Sequence, residues 1–238
     1  PDMIFSVNNR GSDRQGFITE GCACSGIPWA TWFLDQPGFL IAAHEARSGQ
    51  NRFAFCWDTA GCEPCRMLGF KTTELLPLAT NQRLFAPGAG LSGLEGRLVY
   101  VGSPSFGNER NYFAALRNNR HADRVAAALK QDVIQNRAVP GYRTVQDVLH
   151  GLGIAENAFT PEELQRIPAY VLYKANLDYR IAALRSIAGL RPVVFGEGWE
   201  GLLPDSVELR PYADYYRDLP AIYRSDAVHL SLTHLQMR

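Results

Sequence analysis

One stretch of the chain decides its fold class: residues Leu190–Thr233, LRPVVFGEGWEGLLPDSVELRPYADYYRDLPAIYRSDAVHLSLT. It contains three short apolar runs and one segment with helical spacing: Pro192–Phe195, Val207–Leu209 and Val228–Leu232, and Tyr215–Tyr223. Apolar runs that alternate with helical segments indicate a parallel sheet wound with helices. Such sheets bind ligands at the carboxyl ends of their strands, so function is expected at Gly196–Trp199, which follows the first run.

The composition excludes several classes of protein. Of the 238 residues, 46% are hydrophobic and 20% are charged, as in an ordinary globular protein. The 24 Lys and Arg residues balance the 24 Asp and Glu residues, and a net charge of zero argues against binding to nucleic acid or to an anionic membrane. No apolar run reaches the roughly 18 residues that suggest a membrane span, and no charged-then-apolar leader opens the chain, so we expect a cytoplasmic protein.

The first part of the chain repeats a strand–helix pattern. The expected strands are Met3–Val7, Trp29–Leu34, Phe53–Trp57 and Glu74–Leu78, and the expected helices are Arg14–Cys24 and Glu63–Leu68. Strand–helix units with short turns predict a doubly wound sheet, which we assign to a first domain over residues 1–90. Ala86–Gly96 holds one proline and four glycines and is the best candidate for a linker.

A second domain is expected over residues 97–238. It opens with the strand Leu98–Val101, and a helical block follows before the sheet resumes. The helices expected in this block are Tyr112–Leu116, Ala122–Ile134, Val145–Leu152, Pro161–Ile167 and Tyr170–Ile187. Thr160 and Glu163 have the spacing of a capping box, with Pro161 at the first helical position.

The five cysteines leave two interpretations open. Cys62-Glu-Pro-Cys65 has the spacing of a redox motif or of half a zinc site, and it follows a strand-like run. The odd count and the missing leader favour reduced thiols, and free cysteines are often small buried core residues. We therefore expect no disulfide between Cys62 and Cys65 and no bound metal. A thiol-redox protein is the alternative.

Several short phrases, taken in order, resemble a known family. In the first half they are Met3-Ile-Phe-Ser-Val-Asn-Asn-Arg-Gly11, Ile27-Pro-Trp-Ala-Thr-Trp-Phe-Leu-Asp35-Gln-Pro37, Phe55-Cys-Trp-Asp58, Leu68-Gly-Phe70 and Leu76-Pro-Leu-Ala-Thr-Asn81. In the second half they are Val99-Tyr-Val-Gly-Ser103, Gly196-Glu-Gly-Trp199 and Leu219-Pro-Ala-Ile-Tyr-Arg-Ser-Asp226. Together they resemble the CgeB-type spore-maturation glycosyltransferases, a branch of the glycosyltransferases with the GT-B fold. The resemblance covers nearly the whole chain.

The resemblance implies a GT-B-like α/β protein with two Rossmann-like, parallel-sheet domains that face a cleft. The first domain would bind the acceptor and the second a nucleotide-sugar. The family continues past the strand at Val228 into an Arg-rich segment that contacts the donor, whereas this chain ends at Arg238. We therefore expect a fragment whose second domain is truncated and less stable than the first. An exposed apolar patch is expected beside Val228, Leu230 and Leu232.

Candidate donor-binding residues lie in the second domain. They are Gly102, Ser103, Arg110, Lys174, Arg180, Gly196, Gly198, Trp199 and Tyr212. Backbone N–H groups at Gly102 and Ser103 could hold a diphosphate, and the glycines could also serve tight turns. Trp199 could stack on a base or lie in the core. The cations could hold phosphate or be solvated on a helix surface.

Candidate acceptor-side residues follow strands of the first domain. They are Asn8, Asn9, Arg10, Gly11, Asp35 and Asp58. Asp35 could act as the catalytic base or anchor the acceptor, although an Asp before Gln-Pro also forms turns. Asp58 has the same layout or caps the next helix. The polar residues after the first strand could hold sugar hydroxyls or phosphate, or form a solvated loop.

The expected activity is metal-independent sugar transfer. Asp-x-Asp, the carboxylate pair that holds a divalent metal in the other main transferase fold, does not occur in the chain. The nucleotide-sugar would be a donor substrate with no separate cofactor, and the acceptor could be a glycan, a protein or a small molecule. The alternative is a non-catalytic sugar- or partner-binding module that retains the fold.

Overall fold

The computed structural model describes residues 1–12, 16–41, 51–104, 113–136 and 142–232. The chain divides into two compact units, Pro1–Ala79 and Thr80–Met237. Each unit contains a four-stranded sheet in which all strands are parallel. The expected α/β class with two parallel sheets is therefore confirmed. None of the helices in the described ranges is long and apolar enough to cross a bilayer.

The first unit alternates strands with short helices. Its elements are β1 (Ile4–Val7), α1 (Phe17–Cys24), β2 (Trp29–Phe33), α2 (Pro37–Leu40), β3 (Arg52–Cys56), α3 (Thr59–Met67) and β4 (Thr72–Leu75). The strands lie in the order β1-β2-β3-β4, so each strand pairs with the next one along the chain. Because all four strands are parallel, their carboxyl ends lie together at one edge of the sheet.

The core of the first unit lies between the sheet and α3. Phe33, Ala54 and Cys56 project from one face of the sheet onto Cys65 and Phe70, and the rings of Phe33 and Phe70 meet edge to face at 5.8 Å. Alternate residues of β1 point to the opposite face, where the side chain of Phe5 is 54% exposed. The first sheet is therefore more deeply buried on the face that packs against α3 than around Phe5 on the opposite face.

The second unit begins with an irregular segment and then forms its own sheet around a helical block. Its elements are β5 (Leu98–Val101), α4 (Ala114–Asn118), α5 (Ala122–Asn136), α6 (Tyr142–Gly151), α7 (Pro161–Ser186), β6 (Val193–Phe195), β7 (Glu208–Arg210), α8 (Leu219–Tyr223) and β8 (Val228–Leu230), with single 3-10 turns at Glu156–Ala158 and Ala188–Leu190. The strand order is β7-β6-β5-β8.

Both faces of the second sheet are covered, which explains its almost continuous apolar strands. One face packs in a cluster of Leu94, Val99, Val193, Phe195, Ala213 and Ile222. The other packs in a cluster of Tyr100, Leu184, Ala188, Val194, Trp199 and Val207. Alternate residues of β5 and β6 contribute to each cluster, so the central strands are buried on both sides.

Helix α7 is one continuous helix where the sequence predicted two. The predicted capping box at its start is confirmed: Thr160 accepts from the backbone N–H of Glu163, and the Glu163 side chain accepts from that of Thr160. Pro168 lies inside the helix and has no N–H to donate to the carbonyl four residues earlier. Ile167 and Tyr170 on either side of it are buried, and α7 packs against α4, α5 and α6. This packing carries the helix through the proline.

The predicted linker Ala86–Gly96 belongs to the second unit, so the expected limits of 1–90 and 97–238 are corrected to a boundary after Ala79. Leu91 N donates to Ala221 O at 2.8 Å, and Leu94 is fully buried. A Cβ atom on Gly90 would lie 2.6 Å from the carbonyl oxygen of Arg224. The glycines of this segment thus permit close packing, which composition alone did not distinguish from flexibility.

The predicted helix Tyr215–Tyr223 is shorter in the structure, where it spans Leu219–Tyr223. The Asp214 carboxylate accepts from the backbone N–H groups of Tyr216 and Arg217, which fixes a turn before the helix. An Asp side chain that bonds nearby backbone N–H groups competes with helix formation. The turn therefore delays the start of α8.

The apolar patch expected at β8 is only partly present. Val228 is 56% exposed, but Leu230 and Leu232 are half-buried against the cluster that contains Tyr100 and Trp199. β8 lies at an edge of its sheet, next to β5. One of the three expected side chains is therefore exposed.

Candidate functional site

The carboxyl ends of β5 and β6 form two turns in direct contact. Gly102 N donates to Phe195 O at 2.8 Å, and Trp199 Nε1 donates to Gly102 O at 2.7 Å. Gly102 and Gly196 have φ values of 156° and 151°. A Cβ atom on Gly196 would lie 2.4 Å from Gly102 O. These contacts require glycine for packing, which supports the tight-turn interpretation of both residues.

Trp199 does not offer a surface for a nucleotide base. Its side chain is fully buried and meets the ring of Tyr100 edge to face, with the centroids 6.1 Å apart. The prediction that Trp199 stacks on a base is therefore wrong, because its ring is enclosed in the core. Gly198, with a φ of 84°, remains exposed beside this turn, and Pro104 is the nearest residue to its missing Cβ at 3.4 Å.

Arg180 of α7 reaches the turn after β5. Its Nη1 donates to Ser103 O at 2.9 Å, and its Nε is buried without a hydrogen-bond partner. No carboxylate of the described ranges forms an ion pair with Arg180. Burial raises the pKa of the nearby Tyr100 hydroxyl, and the charge of Arg180 opposes that shift. The turn therefore carries a fixed positive charge that lacks a counter-ion in the described chain.

Lys174 lies on the same helix but belongs to a different environment. Its Nζ is 3.3 Å from Asp123 Oδ1 and 5.4 Å from the centroid of the Tyr170 ring. The Tyr170 hydroxyl donates to Asp123, and this bond, with help from Lys174, holds the pKa of Asp123 below its usual range. Lys174 and Arg180 are six positions apart, about 9 Å along the helix axis. Lys174 is therefore part of the helical block.

Two further donor-side candidates were named from the sequence. Tyr212 follows β7 and is 59% exposed. Arg110 lies outside the described residues. Among the predicted donor residues, the structure thus brings together Gly102, Ser103, Arg180, Gly196 and Gly198.

In the first unit, Asn8 connects the ends of β1 and β2. Its Nδ2 donates to Asp35 Oδ2 at 2.7 Å, and its Oδ1 accepts from the backbone N–H groups of Leu34 and Asp35 at 2.7 and 3.2 Å. Asn8 has a φ of 53°, a conformation that Asn adopts more readily than most residues. The amide thus holds one oxygen of the exposed Asp35 carboxylate in place.

Asn9 is only 4% exposed and belongs to a polar network inside the first unit. Its Nδ2 donates to Ser12 Oγ at 2.7 Å, and Thr31 Oγ1 donates to its Oδ1 at 3.4 Å. Because it is buried, Asn9 is not a surface group for sugar hydroxyls, and that prediction is wrong. Arg10 is exposed, and Gly11 has a φ of 91° that glycine accommodates.

Asp58 caps helix α3, as one of its two interpretations predicted. Its Oδ1 accepts from Ala60 N at 2.9 Å, while its Oδ2 is buried without a hydrogen-bond partner. In the register of β2 and β3, Phe33 pairs with Cys56. Asp35 and Asp58 each follow by two residues, so these carboxylates leave neighbouring strands at the same edge of the sheet.

Sequence reasoning missed two features of these sites. The bridging role of Asn8 depends on its left-handed backbone, which an Asn-Asn pair after a strand suggests only weakly. Cys56 contacts Cys65, with the Sγ atoms 3.7 Å apart, although the spacing drew attention to Cys62 and Cys65. All five cysteines are free thiols. Within the described ranges, no three His, Cys, Asp or Glu residues are placed to hold a metal ion.

Comparison with known proteins finds no matching protein family, curated protein or solved structure.

Proposed function

We propose that this chain belongs to a GT-B-type glycosyltransferase that moves a sugar from a nucleotide-sugar to an acceptor without a metal ion. The observation that carries the proposal is Arg180, a cation held at the carboxyl edge of the second sheet without a carboxylate partner in the described chain. Open parallel sheets bind ligands at this edge. An arginine fixed there suits the diphosphate of a nucleotide.

The contact with Ser103 determines what Arg180 can do. Nη1 is committed to the carbonyl of Ser103, which fixes the plane of the guanidinium. Nε is buried, so Nη2 is the group that would donate to a phosphate oxygen. A donor that is already in position when negative charge develops on the leaving diphosphate needs no rearrangement, and such preorganised groups stabilise transition states strongly.

Asp35 is the proposed acceptor-side base. Asn8 holds its Oδ2, and Oδ1 accepts no hydrogen bond from the described residues. A carboxylate oriented in this way could take a proton from an attacking hydroxyl. Asp58, on the neighbouring strand, caps α3 with Oδ1 and has a buried Oδ2, so we assign it no role in holding the acceptor.

Nucleoside diphosphate binding tests the donor site. Titration of UDP, GDP and ADP into the protein, followed by calorimetry, should show binding of at least one of them. Arg180→Gln should weaken that binding by about tenfold or more, since a charge-assisted bond contributes about 1.5–3 kcal/mol. Lys174→Gln is the matched control, because it removes a cation from the same helix without touching the turn. Equal losses in the two variants, or no binding at all, would contradict the proposal.

The non-catalytic binding module remains the second candidate. Gly196 and Trp199 favour this candidate. Both were expected to contact the donor, but in this structure both residues serve packing. Incubation with UDP-glucose and other nucleotide-sugars separates the two. A transferase releases nucleoside diphosphate slowly even with water as acceptor, and Asp35→Asn should reduce that release. A module binds the diphosphate but releases none from the nucleotide-sugar.

A further inference from the structure

Three cysteine side chains meet beneath α3 in the first unit. Cys56 ends β3, and Cys62 and Cys65 lie on α3; none of the three is more than 6% exposed. The Sγ atoms of Cys56 and Cys65 are 3.7 Å apart, and the thiol of Cys62 also interacts with that of Cys56. Cys56 is therefore the central thiol of the cluster.

Gly61 explains why the thiols come so close. A Cβ atom on Gly61 would lie 3.4 Å from Cβ of Cys56 and 3.5 Å from its Sγ. Glycine at this position of α3 lets the helix pack closely on the end of β3. Cys65, on the same helix, is then pressed against Cys56.

We propose that Cys56 and Cys65 form a reversible disulfide when the protein meets hydrogen peroxide. One thiol, as the thiolate, attacks a peroxide oxygen; the O–O bond breaks, and a sulfenic acid and water result. The second thiol then attacks the sulfenic sulfur, so that the S–S bond forms, the S–O bond breaks and a second water leaves. The two thiols lose two electrons, and the peroxide gains them.

Burial selects the oxidant and slows the reaction. Cys56 and Cys65 are 1% and 0% exposed, so a bulky disulfide cannot reach them, and hydrogen peroxide reaches them only when the packing of α3 on the sheet opens locally. The hydrogen bond between Cys56 and Cys65, together with burial, raises the pKa of the Cys56 thiol well above its ordinary value. Little thiolate is therefore present at neutral pH, in contrast to a thioredoxin-like catalytic cysteine. The pair acts as a slow oxidation site rather than as an exchange catalyst.

Peptide mapping tests the proposal. The reduced Cys24→Ser variant, which removes the exposed thiol, is treated with hydrogen peroxide and its remaining thiols are alkylated. Chymotrypsin cleaves after Trp57 and so separates Cys56 from the other two cysteines, and fragmentation at the Glu63–Pro64 bond assigns the partner. The expected product joins Cys56 to Cys65, has lost the mass of two hydrogen atoms, and disappears when dithiothreitol is added.

Matched variants sharpen the result. Cys62→Ser should keep the linkage, Cys65→Ala should abolish it, and oxidised glutathione should modify Cys24 of the unaltered protein without linking Cys56 to Cys65. A linkage to Cys62, oxidation to sulfinic acid alone, or a Cys56–Cys65 linkage that forms only in denaturant would overturn the proposal. The Cys24→Ser variant keeps Cys65, so its peptide map decides the question even if Cys65→Ala fails to fold.

Discussion

Within each of the two sheets, the carboxyl ends of neighbouring strands are held together in a different way. In the first unit, the Asn8 side chain bridges β1 and β2 through Leu34 and Asp35. In the second unit, two backbone turns touch directly, and Gly196 fits against the carbonyl of Gly102. A glycine at a strand end is therefore weak evidence for a ligand site, because close packing requires the same residue. A cation such as Arg180, which pairs with no carboxylate among the described residues, is more informative.

The largest expected effect comes from filling the space at Gly196. Gly196→Ala places a Cβ atom against Gly102 O and forces an unfavourable φ, so we expect a loss of about 4 kcal/mol in the free energy of unfolding. Gly201→Ala is the control, because its φ of 73° is strained but no atom of the described chain lies within 4 Å of the added carbon. It should lose about 1 kcal/mol. Urea unfolding followed by tryptophan fluorescence measures both; similar losses would show that the turn contact is unimportant.

Removing the Asn8 side chain should have a smaller effect. Asn8→Gly adopts the left-handed backbone without strain and removes only the hydrogen bonds to Leu34 and Asp35. We therefore expect a loss of about 2 kcal/mol in the free energy of unfolding. Arg10→Ala, at an exposed position, should change stability by less than about 0.5 kcal/mol. The same unfolding experiment applies. If Asn8→Gly is neutral, water replaces the amide and the side-chain bridge does not stabilise this edge.

The smallest expected effect is at the start of β7, where Glu208 accepts from Arg97 at 2.5 Å and from Arg210 at 2.7 Å. These bonds lower the pKa of Glu208. Its ionised form therefore stabilises the folded state above the ordinary pKa of Glu, and this stabilisation disappears as the pH falls through the lowered value. Because the side chain is 40% exposed, we expect less than about 1 kcal/mol.

Glu208→Gln tests that contribution through its pH dependence. Its melting temperature should lie below that of the unaltered protein at pH 7 and approach it in acid. A constant difference across this range would assign the effect to packing instead of charge.

The sequence predicted strands better than it predicted packing. The predicted limits of β5 agree with the observed ones because the short apolar run Leu98–Val101 stands between Gly96 and the turn at Gly102. Helix α8 was overextended because the turn at Asp214 depends on one side chain choosing backbone partners. The glycines of Ala86–Gly96 suggested a linker. The segment is packed instead, and its contact with Arg224 joins residues that are far apart in the sequence. Periodicity does not detect such contacts.

The candidate sites followed the same division. Gly102, Ser103 and Arg180 were all named from sequence, and the structure adds that Arg180 bonds to Ser103 O. Burial of Asn9 and Trp199 was not predictable, because either residue at a strand end suits both a ligand and a core. The contact of Cys56 with Cys65 depends on the close approach of α3 to β3. Gly61 permits this approach, but a glycine in the sequence does not predict it.

The hydrogen bonds of Arg224 have a consequence for synthesis on the ribosome. Its guanidinium bonds to the carbonyls of Leu84 and Ala86, 140 and 138 residues earlier. The first unit ends at Ala79, so it can fold while the rest of the chain is still being made. We expect the second unit to close only after Arg224 has emerged, because its opening segment bonds to a residue that is made 138 residues after Ala86. A pause late in translation should therefore prolong the exposure of Leu94. The first unit, which ends at Ala79, does not depend on those late residues.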